Sequence, residues 1–324
     1  MKPKILVTEP IPDKVITHLS SFGKIIQGER GEYNTEEDLI AGLQHADALL
    51  CMLSTPVSRK VIENAPKLKV IANFAVGYDN IDVNAAHEKG IRVANTPDVL
   101  TEACGDFAMG LLMAVTRKFN EAEQYLREGK FKGWEPLGFL GMELRGKTLG
   151  IIGMGRIGQS FAHRARAFGM NIAYHNRNPL PDDITHALDA VYYTDHRQLA
   201  READVLSLNC PLTEGTHHLV DEDILKIMPD HAYLINISRG PVVDEAALAR
   251  ALKEGQIAGA GLDVFEEEPE VHPELIQAPN ATILPHIASA TFETREAIGM
   301  LAANAIISVL KGKKDSEIPN LITG

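Results

Sequence analysis

Basic charge is in short supply. The chain sets 32 lysines and arginines against 44 aspartates and glutamates, a formal net charge of −12. That balance leaves no footprint for a phosphate backbone and excludes nucleic acid as a partner, although a small anion can still find a local positive site. Cysteine is scarcer: Cys51, Cys104 and Cys210 stand far apart and form no C-x-x-C pair. A disulfide framework is therefore excluded, and a reducing, cytoplasmic setting is expected. Long apolar runs are missing too. The richest stretch, Phe107–Val115, falls well short of the roughly 20 residues a helix needs to cross a bilayer, so no membrane partner is expected. The opening MKPKILVTEP reads as a strand and not as a signal-type apolar segment. No fixed-period repeat or low-complexity tract occurs.

What is present describes an ordinary globular protein, 45% hydrophobic and 23% charged. At 324 residues it exceeds the usual size of one core, so two domains are expected. Short apolar runs at Ile5–Thr8, Ala48–Leu53, Lys69–Phe74 and Gly90–Ala94 read as strands. Helical patterns at Asp13–Phe22, from Thr35, at Ser58–Asn64 and at Val83–Lys89 lie between them. That alternation predicts a parallel sheet covered on both faces. Val99–Arg127 carries the longest helical pattern and suits a hinge between units. Glu128–Arg145, glycine-rich and holding the single tryptophan, Trp134, reads as a crossing loop. Later strands are expected at Val205–Asn209, Ala232–Ile237, Ala260–Phe265 and Thr282–Leu284, and a last amphipathic helix at Thr291–Leu310.

Thr148–Asn178 is the most informative stretch. The apolar run Leu149–Ile152 leads into Gly153-Met154-Gly155-Arg156-Ile157-Gly158, and a helical pattern follows at once. Gly153 permits the turn, Gly155 lets the backbone approach a pyrophosphate, and Gly158 lets the helix pack closely on the strand. A second strand, Asn171–His175, ends about 20 residues on, where the ribose-reading side chain belongs. An NAD site places an acid there. This chain has Asn176-Arg177-Asn178 instead. The missing acid removes a repulsion toward a 2′-phosphate and Arg177 supplies an attraction, so NADPH is favoured, with NADH the alternative.

Three predicted buried strands end in polar residues: Ile237-Ser238-Arg239, the acidic run after Asp263 up to Glu268-Pro269, and Pro285-His286. In open α/β sheets ligands gather at such carboxyl ends. Arginine can clamp a carboxylate, histidine can deliver a proton, and glutamate can orient and charge that histidine.

Over nearly its whole length the chain resembles the D-isomer-specific 2-hydroxyacid dehydrogenases, and within them the glyoxylate/hydroxypyruvate reductases. The matching blocks are Val70–Asp82, Asn95–Ala114, Gly146–Gly158, Ile235–Leu248, Gly261–Pro269 and Leu284–Thr291. The resemblance implies two doubly wound parallel-sheet domains with a cleft between them. A flavodoxin-like substrate domain would span 1–99 plus 288–324, and a Rossmann dinucleotide domain 100–287. It implies an NAD(P)-dependent oxidoreductase that passes a hydride to a small 2-oxoacid, with Arg239, Glu268 and His286 as the catalytic residues. Glu266 and Glu267 are then bystanders.

By the same resemblance Thr101 and Asp263 serve the nicotinamide carboxamide, and Arg156 and Ile157 the pyrophosphate. Ile237 lines the cofactor site, and Cys210, Pro211 and Thr216 lie on the adenosine side. Val76 and Gly77 offer backbone donors to the substrate carboxylate, with Leu53 and Ser54 in the pocket wall; a plain turn is the alternative for Gly77. Ala288 departs from the glycine many members carry there. The resemblance further implies a homodimer in which Trp134 reaches the neighbouring subunit's site, the alternative being a tryptophan packed in its own chain. Cys210 reads as a lining residue, since no base is placed to activate it. His217 and His218 show no ligand spacing with other residues and read as surface or turn positions, so no metal is expected. Two rival readings stay open: a dinucleotide-sensing binding protein on the same fold, and other 2-hydroxyacid activities, on D-lactate or larger 2-oxoacids.

Overall fold

The structure is a computed structural model that describes residues 2–322. It divides into two compact units. One holds the described residues up to Leu100 and from Ala290 onward, the other Thr101–Ser289.

In the first unit strands and helices alternate: β1 (Lys4–Val7), α1 (Asp13–Phe22), β2 (Lys24–Gln27), α2 (Glu36–Leu43), β3 (Ala48–Cys51), α3 (Arg59–Glu63), β4 (Val70–Asn73), α4 (Val83–Glu88) and β5 (Arg92–Ala94). All strand pairs are parallel, in the order β2-β1-β3-β4-β5. This is a doubly wound sheet of the flavodoxin type. β3 and β4 are buried at every position, as a strand covered on both faces must be. The helices start where the chain offers a side-chain oxygen: Thr35, Ser58 and Asp82 each accept a first-turn N–H.

The second unit opens with α5 (Thr101–Thr116) and α6 (Phe119–Arg127) and continues through β6 (Thr148–Ile152), α7 (Arg156–Ala167), β7 (Asn171–His175), α8 (Asp182–Leu188) and β8 (Ala190–Tyr192). Next come α9 (His196–Glu202), β9 (Val205–Leu208), α10 (Glu222–Ile227), β10 (Tyr233–Asn236), α11 (Glu245–Glu254), β11 (Gly259–Leu262), α12 (Pro273–Gln277) and β12 (Ala281–Ile283). The sheet order is β12-β11-β10-β9-β6-β7-β8, all parallel. The order reverses beside β6, the strand that leads into the glycine turn. That reversal marks the place where open α/β sheets take their ligands. The last helix, α13 (Phe292–Leu310), returns to the first unit and packs on α1 and β4.

Three expectations are corrected. The helix expected over Val99–Arg127 breaks into α5 and α6, because Lys118 adopts a left-handed φ of 54° and α6 then runs with no buried residue. Two edge strands escaped the apolar-run criterion. β2 has no fully buried position and β8 none either, so neither carries the apolar run of a central strand. Finally, the C-terminal helix buries nine residues across a broad face, more than the single stripe expected of it.

Candidate active site

The glycine turn follows β6 as the sequence predicts. Gly153 has φ +93°, and a Cβ there would lie 2.5 Å from the Cys210 backbone nitrogen, so both conformation and space demand glycine. A Cβ on Gly158 would lie 2.8 Å from the Gly153 carbonyl oxygen, whereas one on Gly155 would meet nothing within 4 Å. Open space thus faces the backbone at Gly155, which caps α7 without any side-chain cap bond. The first-turn N–H groups beyond it are the donors an anionic pyrophosphate requires. These residues fit a dinucleotide. Asn176 follows β7 and its Oδ1 accepts the Met154 N–H at 2.7 Å, which pins the end of β7 to the glycine turn. Arg177 and Asn178 are exposed on the next two positions, and Arg156 is exposed at the start of α7.

Arg239, Glu268 and His286 follow β10, β11 and β12, three adjacent strands. His286 Nδ1 and Glu268 Oε2 are 2.9 Å apart, so the ring's Nε2 is the atom left for another partner. Burial by itself pushes the Glu268 carboxyl up, but the hydrogen bond and charge of His286, the Phe265 N–H and the Arg239 charge together hold it below the ordinary carboxylate range. The Phe265 N–H donates to Glu268 Oε1 at 3.1 Å and fixes the second oxygen. His286 itself has φ +55°, a strained value for a residue with a side chain.

That strain is held by Asp263. Its carboxylate, fully buried, accepts the Ile287 and Ala288 N–H groups, each at 2.8 Å. The turn bearing His286 is thereby tied to the end of β11. Burial pushes the Asp263 carboxyl up to about 6 against the opposing pull of these two donors.

Three further residues, none of which motif reading singles out, build the same site. Asn236 is buried at the end of β10, accepts from Ser238 N at 3.0 Å and donates to the Arg239 carbonyl at 2.9 Å, closing the turn that presents Arg239. A Cβ on Gly240 would fall 1.8 Å from the Phe265 carbonyl carbon, so only glycine lets the Arg239 turn press against the loop that carries Glu268. Glu245, in the first turn of α11, is buried and accepts the Glu266 N–H and, at 3.2 Å, the His272 N–H. One carboxylate thus grips both ends of the loop that contains Glu268.

In the first unit, Val76 and Gly77 follow β4. The Ala75 carbonyl accepts from Thr96 N at 2.9 Å and the Val76 carbonyl from Asn95 Nδ2 at 2.8 Å. Peptide planarity then sends the N–H groups of Val76 and Gly77 the opposite way, as a pair of oriented donors. Asn73 donates to the Gly77 carbonyl at 2.6 Å and to Asn80, which in turn donates to the Met52 and Thr55 carbonyls at 3.0 and 3.1 Å. This fixes the turn carrying Leu53 and Ser54; the Ser54 hydroxyl reaches Glu9 at 3.3 Å.

The other expected positions lie as follows. Cys210 is buried, and burial pushes its thiol up to about 11, which suits a lining residue and not a nucleophile. The Thr216 hydroxyl donates to the Pro211 carbonyl at 2.7 Å and accepts from Thr213 N at 2.8 Å, closing its own turn. Ile237 packs against the core at the end of β10, and Thr101 opens α5. Trp134 is 85% exposed, so it does not pack within its own chain. His217 and His218 lie in a turn after β9, as expected of them, and the fold in addition brings Glu266 Oε1, expected to be a bystander to catalysis, to 2.5 Å from His218 Nε2. No local pattern signals a contact made across 48 residues.

Fold and site together define a dinucleotide-dependent α/β oxidoreductase. The profile of the D-isomer specific 2-hydroxyacid dehydrogenase NAD-binding domain matches residues 109–288, and the chain belongs to that family. It is an NAD(P)-dependent oxidoreductase. Its relatives include the Thermococcus litoralis glyoxylate reductase, 46% identical over 99% of this chain and 97% of that protein. Among solved structures, a Thermus thermophilus protein superposes with a TM-score of 0.92 at 40% identity, covering 99% of this chain and 100% of that one. The NADPH-dependent glyoxylate/hydroxypyruvate reductase of Sinorhizobium meliloti, solved with NADP and malonate, gives 0.87 at 37% identity, with both chains covered completely. No described helix is long and apolar enough to cross a membrane.

Asp263 generates a prediction about pH. Its folded pKa of about 6 lies above the reference value of 3.8, so the folded state takes up the proton first. The group's contribution to stability is therefore full below about pH 4 and is lost as pH rises through about 6. Protonation nonetheless places a hydrogen on an oxygen that holds the His286 turn. Turnover should fall as pH drops through about 6 while the melting temperature does not fall with it, and Asp263→Asn should be impaired throughout and lack that limb. A pH–rate profile run beside thermal melts decides; activity lost only together with folding would sink the idea.

Proposed function

We propose that the protein reduces glyoxylate and hydroxypyruvate to glycolate and D-glycerate, with NADPH preferred over NADH. The observation that carries this reading is the His286–Glu268 pair, 2.9 Å apart, with Arg239 on the adjoining strand end. It is supported by the kinship to glyoxylate reductases and by the NADP bound in the Sinorhizobium relative.

When bound in reduced form, the nicotinamide supplies a hydride to the substrate's carbonyl carbon. The chain's residues do the rest. His286, held through Nδ1 by Glu268, gives the proton on Nε2 to the carbonyl oxygen as charge develops there. Glu268 stays anionic and stabilises the imidazolium that must donate. The Arg239 guanidinium pairs with the substrate carboxylate and lowers the cost of charge on the reacting oxygen. In the first unit the oriented N–H groups of Val76 and Gly77, with Leu53 and Ser54 in the neighbouring turn, are donors suited to a carboxylate. Thr101 would meet the carboxamide, with the buried Asp263 acting behind it by holding the His286 turn; the Gly153–Gly158 turn with Arg156 and Ile157 would hold the pyrophosphate, and Cys210, Pro211, Thr216 and Ile237 would line the remaining cofactor surface. Asn176, Arg177 and Asn178 read the 2′-phosphate.

A homodimer is proposed on an exposed apolar surface. Phe119, Leu126, Phe131, Trp134, Leu137 and Leu140 are each more than half exposed, an unusual concentration for a free surface. In this reading Trp134 reaches the partner's substrate. Three thiols without a disulfide suit the cytoplasm.

Steady-state kinetics with glyoxylate, hydroxypyruvate, pyruvate and larger 2-oxoacids, each with NADPH and NADH, test the reading; a higher kcat/KM with NADH overturns the cofactor preference. His286→Ala should lower kcat by about 10²–10⁴-fold while cofactor binding survives. Arg177→Ala should raise KM for NADPH and leave NADH nearly untouched, and equal losses would remove the 2′-phosphate argument. Light scattering should give twice the chain mass, with Trp134→Ala raising KM for the oxoacid; a monomer excludes a role for Trp134 in a neighbouring site.

A further inference from the structure

Outside the candidate active site the second unit gathers one more set of convergent donors. His217 and His218 sit in the turn between β9 and α10, Glu266 in the loop after β11. A ligand atom from each lies within 4.8 Å of the others. Two of the three are already oriented. The His218 N–H donates to the Pro241 carbonyl at 2.8 Å, and its φ of +48° sets the ring's departure from the chain. Glu266 Oε2 accepts the Glu245 N–H at 3.2 Å, which turns Oε1 toward His218 Nε2. His217 stacks on His218 with centroids 4.0 Å apart and an interplanar angle of 28°. It is exposed, so its ring is free to rotate onto a shared ion.

We propose that His217, His218 and Glu266 form a binding site for a borderline divalent cation of the zinc, nickel or cobalt type, independent of the reading of the active site given above. The donor set decides the class of ion. Two imidazole nitrogens and one carboxylate oxygen suit Zn²⁺, whereas Mg²⁺ and Ca²⁺ call for oxygen ligands. Bonds of about 2.0–2.2 Å to a four-coordinate zinc place its ligands about 3.3–3.5 Å apart. The cluster reaches that by rotation of the exposed His217 ring and a small spreading of the His218–Glu266 contact. The backbone contact that orients Glu266 does for this carboxylate what outer-shell partners do at built metal sites. A fourth position stays open to water or an external ligand. An ion there cross-links the turn that carries Thr216 to the loop that carries Glu268, two segments that the His218–Glu266 contact already joins.

Isothermal titration of the full-length protein with ZnCl₂, and the visible absorption of CoCl₂ added in its place, test the site. One Zn²⁺ per chain is expected, with cobalt bands of nitrogen- and oxygen-ligated character and no uptake of Mg²⁺ at equal concentration. His217→Ala, His218→Ala and Glu266→Gln should each weaken binding about tenfold or more, while His163→Ala, at an exposed histidine elsewhere, should not. If His218→Ala does not fold by circular dichroism, the exposed His217→Ala decides alone. Absence of saturable uptake, uptake unaltered by the His217 and Glu266 substitutions, or loss of uptake in His163→Ala overturns the proposal.

Discussion

Asp263 lies fully buried at the end of β11 and spends both oxygens on the N–H groups of Ile287 and Ala288, so the chain leaving β12 is drawn back across its neighbour. Burying a carboxylate is costly unless every oxygen finds a donor. Here the donors are main-chain groups that would otherwise face the end of the sheet unpaired. The exchange satisfies both parties and leaves the peptide before Ile287 little choice of direction. His286 accepts a left-handed backbone as a result, and its ring meets Glu268, which hangs from the same β11 loop. Arg239 joins through a steric condition, the lack of a Cβ at Gly240 against Phe265. Parallel strands bring three chain ends into one neighbourhood. These two contacts turn neighbourhood into geometry.

Local signals made the chemistry-bearing residues legible. The glycine turn announces itself because its requirements are local: a positive φ at Gly153, close packing at Gly158 and a helix start just beyond. Arg239, Glu268 and His286 stand at the ends of apolar runs, and apolar runs are what periodicity detects. The residues that hold them are not legible in that way. Asp244-Glu245 reads as an ordinary helix start, and Asp244 does cap α11. The partners of the Glu245 carboxylate are 21 and 27 residues away and depend on how α11 lies against the β11 loop. Asn236 reads as the polar end of a strand, and its three bonds emerge only when the turn has formed. The edge strands β2 and β8 were hidden for the opposite reason, since strands at a sheet's rim need not carry an apolar run.

The first unit repeats the same device with amides. Asn73 and Asn95 hold the carbonyls of Gly77 and Val76, and Thr96 N holds that of Ala75. Orienting a carbonyl is an indirect way to aim the N–H on the other side of its peptide. Two fixed main-chain amides offer an anion oriented donors without placing a charged side chain in the turn. Asparagine suits the work, since it donates from a short side chain whether or not it is buried.

The question of which dinucleotide comes down to what Asn176 has left to offer. Its Oδ1 is engaged by the Met154 N–H at 2.7 Å, and an amide anchored by its oxygen turns its NH₂ group, a pair of donors, the other way. A carboxylate in the same place accepts from Met154 and keeps an acceptor for ribose hydroxyls, which is the arrangement that repels a 2′-phosphate. Replacing acid by amide therefore reverses two properties at once: the formal charge at that point falls to zero, and acceptor becomes donor. The exposed Arg177 next to it adds a guanidinium whose planar fork matches phosphate oxygens. Under the proposed preference for NADPH, ribose hydroxyls, which both donate and accept, would still find partners here, whereas a 2′-phosphate would gain a donor, a cation and the removal of a repulsion. Preference of this kind rests on the difference between the two ligands and leaves turnover with either one intact.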